Sequence, residues 1–244
     1  MNNTVPSKLE KCPIVDALIE IRFESPFPKS VIFGMIYSII KEKYLGEVKQ
    51  LPTSQIPEQI READPNLKFK PLYLIEGDET IIQIGPDVIA ISSKIPYKGW
   101  SYYSEYVIND INRLINKGII SKVIRVGLRY VNFFENDIMN DLTLTLNMAS
   151  GYNAKNIYIR TDIPDNDFID VIQISNTAQY HKNGITLNGT LIDIDSSKYY
   201  NDSYFSKNIE EELNKAHKSE KCIFFSLLKA DFLNSLKPKY DDNK

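Results

Sequence analysis

The sequence predicts an α+β protein, and three observations carry the prediction. Residues 14–23 and 122–134 alternate apolar and polar side chains with a period of two, as half-buried strands do. Residues 31–40 and 100–115 repeat their apolar positions at helical spacing instead. Beyond residue 135, strand-like segments follow one another between turn residues until a long amphipathic stretch near the end. With 244 residues, 43% hydrophobic and 25% charged, the chain can bury an ordinary globular core, so one large domain or two lobes sharing a core is expected.

The first strand places Ala17, Ile19, Ile21 and Phe23 on one side and Leu18, Glu20 and Arg22 on the other, and Pro26 and Pro28 end it. A helix follows, with Val31, Ile32, Met35, Ile36, Ile39 and Ile40 along its stripe and Gly46 as its stop. Residues 47–66 hold Pro52, Pro57 and Pro65, and predict either a loop or a short helix near Pro57–Ala63. Strands at about 68–75 and 79–93 flank the turn Glu76-Gly-Asp78 and predict a hairpin. A second helix starts after Gly99. It carries Trp100, Tyr103, Val107, Ile111, Leu114 and Ile115 on one face and ends at Gly118. The strand at 122–134 puts Val126, Leu128 and Tyr130 on one side and Arg125, Gly127 and Arg129 on the other.

That order predicts a ferredoxin-like βαββαβ lobe over residues 1–135. Its first and last strands would be antiparallel neighbours, and Glu20, Arg22 and Glu24 would share a sheet face with Arg125 and Arg129. Residues 136–244 predict an antiparallel β-meander packed on a long C-terminal helix. Its strands are Leu142–Met148, Asn156–Ile163, Ile169–Tyr180 and Gly184–Ile194, and the helix runs from about Ser206 to Leu228. The helix stripe holds Ile209, Leu213, Ala216, Ile223, Phe224, Leu227 and Leu228. Uniform composition argues for two lobes packed as one unit.

Composition narrows the function classes. The formal net charge of −3 supplies no long-range field for nucleic acid or an anionic membrane, although a local basic face stays open. Two cysteines, Cys12 and Cys222, exclude a disulfide framework or zinc ribbon and read as small buried hydrophobes in a reducing compartment. The N-terminal residues lack an apolar signal-peptide core, and Val31–Ile40 is too short to span a bilayer, so a cytoplasmic protein without membrane association is expected. Neither Gly-x-x-x-x-Gly-Lys nor Gly-x-Gly-x-x-Gly occurs, and no cofactor is expected.

Four segments together resemble a sporadically distributed family of bacterial and archaeal proteins of uncharacterised function. They are Cys12-Pro-Ile-Val-Asp-Ala-Leu-Ile-Glu-Ile-Arg-Phe23, Tyr97-Lys-Gly-Trp100, Arg125-Val-Gly-Leu-Arg-Tyr-Val-Asn132 and Ala216-His-Lys-Ser-Glu-Lys-Cys-Ile-Phe-Phe-Ser-Leu-Leu228. The resemblance spans about residues 9–240, with Cys12 standing where the family has proline. It implies an architecture and no mechanism. The family's patchy distribution suggests accessory genes, such as defence or toxin-linked loci.

No catalytic constellation is legible. His181 falls in the turn Tyr180-His-Lys-Asn-Gly184, and His217 lies three residues before Glu220 on the terminal helix, where a structural pairing is expected. Asp193 and Asp195 point the same way on one strand and form a weak candidate for a magnesium site, against the plainer reading of a polar strand end. The feature of greatest interest is the face carrying Arg22, Arg125 and Arg129, either a carboxylate-binding or phosphate-binding surface, or a Glu–Arg ladder with Glu20 and Glu24, or an interface with the second lobe. Trp100 is either a core anchor or a hot spot for a partner. One of Phe224 and Phe225 must leave the centre of the helix stripe.

The expectation is therefore a non-catalytic binding protein, an accessory or antitoxin-like component whose partner is another protein or a second copy of itself. Two alternatives stay open: a nucleic-acid-binding or processing factor using the arginine face, and a small-ligand-binding protein.

Overall fold

The computed structural model describes residues 5–146, 154–165, 167–182, 184–201 and 204–240. Along the chain lie strands β1 (Lys8–Leu9) and β2 (Ile14–Glu24), helix α1 (Lys29–Ile40), strand β3 (Lys49–Gln50) and helices α2 (Glu58–Ala63) and α3 (Pro65–Lys68). Strands β4 (Tyr73–Glu76), β5 (Thr80–Ile84) and β6 (Val88–Ser93), helix α4 (Trp100–Asn116) and strand β7 (Lys122–Phe134) follow. Next come β8 (Tyr158–Asp165), β9 (Phe168–Lys182) and β10 (Ile185–Tyr199), helices α5 (Tyr204–Lys207), α6 (Ile209–Leu227) and α7 (Ala230–Ser235), and β11 (Pro238–Lys239). The class is mixed α+β with a large antiparallel sheet. Two compact units of interleaved segments make up the chain: 17–128 with 197–215, and 1–16 with 129–196 and 216–244.

In the unit of residues 17–128 and 197–215, the strands β3, β4, β5, β6, β2 and β7 are neighbours in that order. The alternation read from β2 sets the register: Ile19 faces Ile91, Ile21 faces Ile89, and Ile82 faces Ile91 from the other side. All five are buried, together with Ile32, Ile36 and Ile40 of α1 and Tyr103, Val107, Ile111 and Leu114 of α4. Burying one face of each helix and one face of the sheet makes a single apolar layer. Gly118, at φ 69°, closes α4: its N–H donates to the Ile115 carbonyl and that of Ile119 to the Leu114 carbonyl, the paired bonds of a left-handed C-terminal cap.

Several boundaries differ from those expected. The segment 79–93 is two strands, because Gly85-Pro86-Asp87 turns the chain and the Gly85 N–H donates to Val88. The strand expected from 68 begins only at Tyr73. Asp64 caps α3 by accepting from the Asn66 N–H and so carries helix through Lys68. The short helix expected near 57–63 is α2.

In the unit of residues 1–16, 129–196 and 216–244, β7, β10, β9 and β8 are neighbours in that order, and β1 pairs antiparallel with β11. Its core gathers Phe134, Leu142, Ile172, Ile174, Ile192, Ile194, Phe224 and Leu228. The strand expected at Leu142–Met148 is not formed by its described part. Leu142 makes one isolated bridge to Leu228, and Thr143 binds the carbonyls of Leu227 and Ser226, so the end of α6 takes the bonds a sheet would need. Asn147 and Met148 lie outside the described residues. The single helix expected from 206 to 228 is α5 and α6, with α7 beyond. The break after α6 comes where Leu228 and Lys229 turn to pair with Leu142 and Asp141.

Phe224 is buried while Phe225 packs edge-on beside it, with ring centroids 5.2 Å apart, which answers the crowding expected of adjacent phenylalanines. Cys12 and Cys222 are exposed and not the buried hydrophobes expected. Cys222 is two residues from both Glu220 and Phe224, and on a helix that places it on the far side from their buried stripe. Among the described residues, no helix is long and apolar enough to cross a membrane.

Candidate binding face

The arginine face divides into two separate sets. In the first, β2 supplies Glu20 and Arg22 and β7 supplies Arg125. A single carboxylate oxygen, Glu20 Oε1, accepts from Arg22 Nε at 2.7 Å and from Arg125 Nη1 at 2.8 Å. The cross-strand proximity of Glu20 and Arg125 is what the alternation of the two strands predicts. Glu24, four residues further along β2, reaches Lys122 at 3.7 Å. The group is neither interior nor freely solvated: Arg22 and Glu20 keep 24% and 22% of their side-chain surface, while Arg125 is nearly covered.

Arg22 is the better placed of the two for recognition. Its guanidinium carbon sits 4.6 Å from the centre of the Phe69 ring, so one planar face is taken by an aromatic. Glu20 fixes its Nε. Among the described residues its remaining N–H donors meet no acceptor. A guanidinium held on one face and one edge, with its far edge still offering donors, is preorganised to take a planar anion.

The second set belongs to Arg129. It binds Asp193 through two parallel bonds, Nε to Oδ1 at 2.7 Å and Nη2 to Oδ2 at 2.6 Å. Gln173 Nε2 also donates to Asp193 Oδ2, and the Tyr158 hydroxyl donates to Gln173. The Asp193 bonds hold the Arg129 charge above its ordinary range, with Asp16 and Asp195 adding to the effect. Both oxygens of Asp193, the first member of the weak magnesium pair, are engaged by side-chain N–H donors. Among the described residues, no group of three or more histidine, cysteine or acidic side chains is placed to hold a metal ion.

Trp100 opens α4 after Gly99, whose φ of 106° suits only glycine without strain. Its indole N–H donates to Asn214 Oδ1 of α6 at 2.6 Å, and its ring meets Tyr103 edge-on. Half-buried, it ties α4 to the first part of α6. Beside this tie lies an open cleft of about 490 Å³, lined by Ile108 and Asn112 of α4 and by residues 206–211 and Asn214.

Sequence reasoning passed over the buried carboxylates. Glu212 accepts from Lys198, Tyr200 and Lys215. Burial pushes its carboxyl up, and those three bonds more than reverse the shift, leaving it below the ordinary range. Asp170, fully buried on β9, accepts from the hydroxyls of Ser196 and Ser219. Glu220 is also buried. Burial, reinforced by the charge of Asp170, pushes its carboxyl up to about 8.

His217 packs against Tyr130, with Nδ1 3.5 Å from the hydroxyl, and burial holds its imidazole down to about 3. Burial thus acts against the charged form of both His217 and Glu220. Ser196 and Asp170 have no exposed surface through which a substrate could reach them. The signal for Glu220 was present in the sequence: it stands four residues from both Ala216 and Phe224, on the apolar stripe. His181 is exposed in its hairpin and contacts the Thr186 hydroxyl.

The chain matches no family model and no curated protein.

Proposed function

We propose that the protein is a non-catalytic binding protein that recognises an acidic group on a protein partner through Arg22. The observation that carries this reading is the guanidinium of Arg22, stacked on Phe69, anchored by Glu20 and offering its outer donors from a half-exposed position. The proposal includes a ferredoxin-like lobe as the scaffold. In support, β7, β2, β6 and β5 are neighbours in the order that such a lobe requires, with α1 and α4 as the crossover helices and β4 and β3 added at the edge. On the face that bears Arg22, its β6 neighbours Val88 and Ala90 are buried, and Arg22 itself keeps 24% of its side-chain surface for a partner. The family resemblance adds the expectation of an accessory or antitoxin-like role in a cytoplasmic setting.

Glu20 Oε1 accepts from both Arg22 and Arg125, and Arg129 binds both oxygens of Asp193, so the arginines are paired with carboxylates, which disfavours a continuous basic track for a nucleic-acid backbone. The test is affinity capture from native cells with the wild-type chain and with Arg22→Ala, after thermal melting shows the two equally folded. A protein retained by the wild type and lost by the variant supports the reading. Capture of no protein by the wild type sinks it. Nucleic acid released by salt, in place of protein, transfers the face to the alternative reading.

A further inference from the structure

Strand β8 is the last in its sheet, and among the described residues no strand pairs with its outer edge. Its pairing with β9 shows which backbone groups that edge presents. The Asn176 N–H donates to the Ile157 carbonyl, and the register continues evenly from Tyr158 opposite Ser175 to Asp165 opposite Phe168. In an antiparallel ladder, directly paired residues alternate between bonding each other and facing away. The N–H and C=O groups of Ile159, Thr161 and Ile163 therefore point to β9. Those of Tyr158, Arg160 and Asp162 point outward, as does the carbonyl of Pro164.

We propose that this edge is where two copies of the chain pair, antiparallel, about a two-fold axis passing at Thr161. The strand reads Ile159-Arg-Thr-Asp-Ile163, which is complementary to its own reverse. Placing Thr161 opposite Thr161 of the second copy sets Arg160 opposite Asp162 and Asp162 opposite Arg160. Ile159 then faces Ile163 on the other side of the strand, the side of Ile172 and Ile174, so the apolar layer of one copy continues into the next. The outward N–H groups of Tyr158, Arg160 and Asp162 in each copy meet the carbonyls of Pro164, Asp162 and Arg160 in the other.

The neighbouring registers fail. A slip that keeps the outward groups facing each other opposes Arg160 to Arg160 or Asp162 to Asp162, and like charges directly opposite are destabilising. Charged edges normally deter pairing. Here the alternating signs deter other strands and match a second copy. The charged pair is in position to exchange partners: Arg160 Nη1 lies 3.1 Å from Asp162 Oδ1, and the two side chains are 53% and 52% exposed. Such a surface contact is weak, so replacing it with cross-strand pairs costs little. Tyr158 and Ile163 are exposed at the two ends of the strand. Pro164 lacks an N–H and stops the pairing there, which makes a short contact and a reversible dimer.

This inference stands apart from the binding role proposed for Arg22, and Arg22→Ala is expected to leave the dimer unchanged. The test is sedimentation velocity of the full chain over a range of protein concentrations. The wild type is expected to show a monomer–dimer equilibrium. Arg160→Asp alone, or Asp162→Arg alone, is expected to weaken it by about tenfold or more, because attractive pairs become repulsive ones on both sides of the axis. The double reversal Arg160→Asp with Asp162→Arg is expected to restore it, since the reversed strand is again complementary to itself. A wild type that stays monomeric overturns the proposal. So does a dimer indifferent to the single reversals, or a double reversal no better than either single one.

Discussion

Glu220 offers the sharpest test of the energetics. It sits in the stripe of α6 between Ala216 and Phe224, and burial together with Asp170 lifts its carboxyl from an ordinary 4.5 to about 8. A group whose pKa rises on folding holds its proton more tightly in the native state. Its contribution to stability is whole below the unfolded value of 4.5 and is lost progressively as pH rises to about 8. From 4.5 to neutral pH the loss is about 3 kcal/mol, at roughly 1.4 kcal/mol per pH unit. That is a large share of a net stability of roughly 5–15 kcal/mol.

Glu220→Gln keeps the shape of the protonated acid and cannot ionise. Wild type and variant should be equally stable near pH 4.5. Near neutral pH the variant should be the more stable by about 3 kcal/mol, and the gap should stop growing near pH 8. Urea unfolding followed by circular dichroism across that range measures the gap directly. Two stability curves that run parallel across the range would refute the reasoning, because Glu220 would then titrate alike folded and unfolded.

Removing the charge beside it with Asp170→Asn should flatten the wild-type pH dependence, measured in the same way, while the amide oxygen can still accept from Ser196 and Ser219. Arg129→Ala leaves the buried Asp193 carboxylate without its bidentate partner and should cost about 3 kcal/mol in urea unfolding; the low end of the range for buried pairs applies because Arg129 is itself 41% exposed. At Gly189 an added methyl would meet the carbonyl of Phe134, which is backbone and cannot swing aside. Gly189→Ala should cost about 2 kcal/mol and lower the melting temperature by roughly 4–8 °C, read by calorimetry.

The elements legible in the sequence are those whose signal is local. The alternation of β2 and β7, the stripe and glycine stop of α4, and the short helix between Pro57 and Asp64 depend on side-chain periodicity and on proline and glycine geometry, which neighbours along the chain supply. Even the missed break at Gly85-Pro86-Asp87 was written in local turn chemistry. The segment after Leu142 was different. Its apolar residues suit a strand, but the backbone bonds that would make one go to the end of α6, more than eighty residues away.

Local periodicity and composition were enough to set the alphabet of elements and the inward face of most of them, and to show that the residue sets of common catalytic and phosphate-binding motifs do not occur. Which charge meets which was settled by the packing of distant segments. Glu20 takes two arginines, Asp193 takes the third, and Glu220 is shut in the core beside Asp170. These outcomes turn on register and on distances of a few ångströms between residues far apart in the chain. Electrostatic energies and hydrogen bonds change steeply over such distances, whereas the periodicity of a sequence carries no record of them.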